Sequence, residues 1–253
     1  MLSGGNPALQ LDQFRSEAQS YHGPAVMTVT GAVTKSAILA ALLIAAGGVG
    51  WTITSPTSSA ITDVSKFGII IGSLIGSVIC GIALFFSQRL APFLAPVYAL
   101  CEGVLIGAIS GMYSARWHGI VPQAALLTIG IMVAMLMAYA SGMIRATPFV
   151  TKAIVTATIG VCLVYLATFV LRLLGVEGVN YIHSATPLGI AFSVLVVGIA
   201  AFNFILDFDL IENGARSGAP KYMEWYAAYG LMVTLVWLYL EVLRLLAKIR
   251  SSD

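Results

Sequence analysis

Apolar residues in this chain come in long unbroken blocks, without the every-other-residue alternation of a membrane barrel strand. Seven blocks reach the roughly 20 residues that a helix needs to cross a bilayer, at approximately 36–54, 67–86, 92–112, 121–142, 152–174, 187–206 and 225–246. In lipid each segment must satisfy its own backbone hydrogen bonds, so the blocks predict helices. Short connections predict one compact all-α bundle of seven transmembrane helices over residues 31–250. Residues 1–30 are polar and mixed in charge, and read as a short mobile tail. They lack the basic start followed directly by an apolar core that marks a cleaved signal.

Composition narrows the class further. The chain is 59% hydrophobic and 9% charged, against about 25% charged in soluble domains. A water-soluble fold is excluded, and the lipid bilayer is the first partner. A net charge of +2 with no basic cluster among aromatics gives no footprint for nucleic acid. Cys80, Cys101 and Cys162 all fall inside apolar blocks and read as small buried apolar residues. His22, His118 and His183 have no second ligand at metal spacing. No zinc-protease, nucleophile-elbow, phosphate-loop or dinucleotide motif is present, so neither an enzyme nor a cofactor is expected.

Orientation follows from the basic residues of the connections. Arg15, Lys35, Arg89, Arg145, Lys152, Arg216 and Lys221 lie on the N-terminal side, against Lys66, Arg116 and Arg172 opposite, seven to three. That favours a cytoplasmic N-terminus. Arg244, Lys248 and Arg250 at the far end bring the second count to six and oppose it.

The acids then single out candidate chemistry. Only 11 Asp and Glu occur in 253 residues, yet Asp207, Asp209, Glu212, Glu224 and Glu241 all fall between Asn203 and Leu246. Ionisable groups at the margin of a hydrocarbon layer need partners, water or an ion. Asp207 and Asp209 point about 200° apart on a helix, Asp207 sharing a face with Asn203 and Asp209 one with Glu212. Asn213-Gly214 and Ser217-Gly218-Ala219-Pro220 read as helix end and turn. Glu102 sits well inside the third block, where a carboxyl is neutral or held by a partner. Gly230, Thr234, Trp237, Glu241 and Arg244 share one face of the last block, and Glu241 can pair with Arg244. Glycines recur every fourth residue at 68, 72 and 76 and again at 103, 107 and 111, strips on which helix backbones approach closely.

Three stretches, LAPVYALCEGVLIGAISGMY, NFILDFDLIENGA and PKYMEWYAAYGLMVTLVWLYLEVLRLLAK, resemble the Bax inhibitor (YccA-like) family of seven-span membrane proteins, and its bacterial branch in particular. The resemblance runs from about Thr28 to Arg250. It implies a bundle in which six helices enclose the last, a cytoplasmic N-terminus and a bacterial inner-membrane location. The family is linked to pH-sensitive calcium leak, to suppression of cell death or stress and, in some bacterial members, to membrane quality control. Its leak is associated with an aspartate at the end of the sixth helix, another in the seventh, and an arginine near the second that latches the gate. Carried over, FDL puts Asp209 in the first role and Arg89 in the latching one. Thr234 stands where the second aspartate is expected, a departure, since an acid and a hydroxyl make a weaker switch than two carboxyls. A rebuilt site of Asp207, Asp209 and Glu102 is the expected substitute, with Glu224 and Glu241 as further acids and Asp207 and Asp209 as calcium ligands.

Two functions are therefore weighed. One is a pH-modulated leak for calcium or another cation, with protons as the modulating ion and carboxylates plus Asn203 and Asn213 as oxygen ligands. The other is a non-conducting regulator that binds a second membrane protein in stress response or quality control.

Overall fold

The computed structural model describes residues 26–54, 63–175 and 184–252. The polar tail to residue 25, with Arg15 and His22, lies outside the described residues, as does His183; from Val29 onward the expected tail is helix. Seven long helices follow: α1 (Val29–Thr54), α2 (Asp63–Phe86), α3 (Ala91–Arg116), α4 (Ile120–Ala140), α5 (Pro148–Leu173), α6 (Pro187–Arg216) and α7 (Met223–Ser252). All seven are long and apolar enough to cross a membrane. The all-α, seven-helix expectation is borne out.

Local chemistry sets the helix ends. Thr147 caps α5, its hydroxyl accepting from Val150 N at 3.3 Å, and Pro148 fills the first turn where no amide donor is needed. Thr186 does the same for α6, accepting from Gly189 N at 3.3 Å ahead of Pro187. The end of α6 differs from expectation. Asn213 and Gly214 stay helical, and the helix runs on to Arg216. It stops where Gly218 takes φ +71°, with Ala219 N on Gly214 O at 3.1 Å and Gly218 N on Ala215 O at 3.3 Å. That paired closure needs the left-handed backbone that glycine alone adopts freely; Gly214, at ordinary helical φ, has no such effect.

The chain divides into two compact units. Among the described residues, one contains Gly119–Asp209 with the chain from Thr234 onward; the other contains the residues from Val26 to His118 with Leu210–Val233. In the second unit the α3 glycine strip does what its spacing predicts. A Cβ on Gly103 would strike the Leu43 carbonyl of α1, and one on Gly107 the Gly47 backbone. The α2 strip does not match it. Gly76 faces the Cys101 sulfur, but Gly68 and Gly72 have open space beside them among the described residues. Cys162 also departs from expectation, exposed on α5 while Cys80 is buried; an apolar thiol meets no penalty on a lipid-facing surface.

The last helix is the enclosed one. Its spanning window is 56% buried, against 17–39% for the other six. Its first half meets α3 through Tyr229 on Tyr98, edge-to-face at 4.9 Å. Its second half meets α5 and α6 through Glu241 and Lys248.

The α1–α3 contact has a direct test. Gly107→Ala is expected to destabilise the protein by about 1–3 kcal/mol through overpacking. Gly72→Ala, on the open strip, should leave stability within about 1 kcal/mol of the parent. Thermal unfolding in one detergent, parent beside both variants, reads the difference.

Candidate ion and proton site

Polar side chains buried in a membrane bundle are few, and in the first unit they form a line. Asp207 on α6 is fully buried. One turn earlier Asn203, 1% exposed, donates from Nδ2 to Thr158 Oγ1 of α5 at 3.0 Å and to Ile199 O at 2.8 Å. Its Oδ1 is buried and has no hydrogen-bond partner among the described residues. An acceptor left in that state asks for an explanation, because burial without a bond costs about 1–3 kcal/mol.

Further along the same helices come Ser193 of α6 and Glu241 and Lys248 of α7, all buried. The Tyr165 hydroxyl of α5, two turns beyond Thr158, faces both Glu241 oxygens at 3.0 and 3.1 Å. From Asp207 to Gly189, whose carbonyl accepts from Lys248, the line covers about 27 Å of helix rise. That is close to the roughly 30 Å hydrocarbon thickness of a bilayer.

The two aspartates separate as helix geometry predicts. Asp207 is fully enclosed, whereas Asp209 is half-buried and accepts from the Tyr139 hydroxyl of α4 over a long 3.4 Å. Thr234, in the same unit, is 2% exposed on α7. Glu102 belongs to the other unit, half-buried on α3 beside the Ser77 hydroxyl of α2. Arg89 is exposed in the short 3-10 turn Gln88–Leu90 that links α2 to α3. Glu212 pairs with Arg216 on the last turns of α6. Among the described residues no three His, Cys, Asp or Glu side chains come together as a metal cluster.

Glu224 and Glu241 are both buried and both have partners. Glu241 pairs with Arg244 at 2.8 Å, the i,i+3 contact the sequence predicts. Glu224 does something that local sequence does not reveal. Its Oε1 accepts from Thr28 N at 3.0 Å, Thr28 Oγ1 at 2.9 Å and Lys221 Nζ at 2.7 Å. Thr28 Oγ1 in turn accepts from Gly31 N at 3.0 Å, so the N-cap of α1 is Thr28, held in place by a carboxylate from 196 residues away, where a negative charge suits the helix dipole. Gly31 makes room for it, since a Cβ there would overlap the carboxylate. Beside this contact the chain entering α1 is stapled to the α6–α7 turn, Met27 N on Ala219 O at 2.7 Å.

Seven apolar helices of spanning length, one of them enclosed and carrying buried charge, define a multi-pass membrane protein. The family can be stated more narrowly. The model of the family described as Bax inhibitor 1 like matches residues 6–251, nearly the whole chain, and the protein belongs to that family. Comparison with curated proteins and with solved structures gives no match.

Replacing Glu224 leaves Thr28 N and its hydroxyl without their acceptor. Glu224→Ala is expected to cost about 1–2 kcal/mol, as loss of a helix cap does. Lys221→Ala, which removes only the half-exposed partner, should cost under about 1 kcal/mol. Denaturant titration of the two variants tests the ranking; equal losses would show that the cap contributes nothing of its own.

Proposed function

We propose that the protein is a pH-modulated cation leak, with calcium the expected ion, and that it catalyses no reaction. The observation that carries this reading is the line of buried polar side chains from Asp207 to Lys248. Polar groups are expensive inside a membrane bundle and mark ion or proton routes when they run its length. Asp207 and Asp209 supply negative charge at one end, and the Asn203 carbonyl oxygen supplies a further hard-cation ligand one turn inward. Calcium enters as the transported ion, without a resident metal centre. Asp209 takes the sensing role of the family's sixth-helix aspartate, and Thr234, in place of the second acid, weakens the pairing. Asp207 is then the compensating carboxyl, with Glu102 as a further candidate. Arg89 is the proposed latch. The loop charges support a cytoplasmic N-terminus, and the resemblance to the YccA-like branch supports a bacterial inner membrane.

The sign of the pH response follows from charge. Carboxylates attract a cation when ionised, and protonation on acidification removes that attraction. Calcium flux through purified protein in liposomes should therefore be greater at pH 8 than at pH 6, and Asp209→Asn should flatten the difference.

A second reading has its own observation. Gly68 and Gly72 leave a smooth, open strip on α2, a surface on which another membrane helix can pack closely. With Thr234 replacing an acid, this supports a non-conducting regulator of another membrane protein, acting in stress response or quality control. Folded protein that passes no calcium at any pH selects this reading.

A further inference from the structure

Two of the three free thiols share one helix seam in the second unit. A Cβ on Gly76 of α2 would lie 2.9 Å from Cys101 Sγ of α3, so that sulfur enters the space a side chain at 76 would fill. Cys80 stands four residues on, on the same face of α2, and is 7% exposed. Helical side chains lean back over the preceding turn. The Cys80 sulfur therefore leans over the turn that begins at Gly76, towards Cys101, and the two thiols interact electrostatically. Gly76 is the residue whose missing side chain lets them approach.

The surroundings suit thiol chemistry. Tyr98 of α3 and Tyr229 of α7, edge-to-face, both interact electrostatically with Cys80 and with Glu102. A thiol reacts as its thiolate, and the Glu102 carboxyl is the proton acceptor in the same cluster. By helix rise Cys80 lies about 9 Å from the end of α2 and Cys101 about 15 Å from the start of α3, both inside spanning segments. An oxidant therefore reaches them from the lipid, not from water. We infer that Cys80 and Cys101 form a redox-reactive pair that a lipid-soluble quinone oxidises to a disulfide. Both S–H bonds break and one S–S bond forms; the two electrons and two protons reduce the quinone to a quinol. A disulfide holds its Cα atoms within about 7 Å, so the bridge fixes the register of α2 on α3. The inference is independent of the leak reading.

Purified full-length protein in liposomes, given a fully substituted benzoquinone that cannot add a thiol, provides the test. The three titratable thiols should fall to one, the intact mass should drop by two hydrogens, and peptide mapping should link Cys80 to Cys101. A dithiol reductant should restore all three. Oxidised glutathione, charged and confined to water, should leave them free. Cys162→Ser should go from two thiols to none, whereas Cys80→Ser and Cys101→Ser should each keep their two. Gly76→Ala fills the shared space, and an intramolecular step misaligned in this way should slow roughly ten-fold or more. If a variant fails to fold, the peptide map of the parent still decides. Folded parent that keeps three thiols in the presence of the quinone would overturn the pair, as would a bridge that includes Cys162 or one that forms only with glutathione.

Discussion

The constraint on which the rest depends is the cost of a polar group away from water. In this chain the backbone meets it by becoming helix everywhere an apolar block runs, which fixes the seven-helix architecture. Side chains meet it one at a time. Asn203 reaches across to Thr158, Tyr165 bridges Glu241 and Arg244, and Lys248 takes a carbonyl and a hydroxyl from α6. Each of those bonds crosses between helices, so the groups that are hardest to bury also tie α5, α6 and α7 together. The enclosed position of α7 fits this, because Glu241 reaches Tyr165 of α5 and Lys248 reaches Ser193 and Gly189 of α6.

The same constraint explains the second unit. There the helices approach through missing side chains, with Gly103 and Gly107 letting the α1 backbone close on α3. Apolar surface drives little association inside lipid, so close backbone contact takes its place. The buried carboxylate of Glu224, which holds the Thr28 cap of α1, sits where Thr28, Lys221 and the dipole of α1 all favour its charge.

Much of this architecture was legible from residue pattern. Continuous apolar blocks identify the helices, the four-residue glycine period identifies the α3 face, and the spacing of Glu241 and Arg244 identifies their pair. Features set by distant contacts were not. Nothing around Glu224 points to Thr28, because the two meet only through the fold. Lys248 reads in the sequence as part of a basic end, and its burial against Ser193 and Gly189 is set by the fold. The α2 glycines show the converse. Their spacing matches that of α3, yet Gly68 and Gly72 face open space, since period alone does not name a partner. The end of α6 was legible in part: Ser217-Gly218-Ala219-Pro220 is the turn, with the backbone left-handed at Gly218, whereas Asn213-Gly214, an equally common turn signal, stays helical.

The central claim is that the buried polar line on α6 carries ions rather than merely holding helices together. Asn203 tests it most directly, being uncharged, enclosed and one turn from Asp207. Calcium flux through liposomes containing Asn203→Leu, with folding verified by its melting transition, is the measurement. The account predicts a folded protein whose flux falls at least about ten-fold, because an apolar side chain interrupts the line. Flux equal to the parent's would show that ions do not pass there.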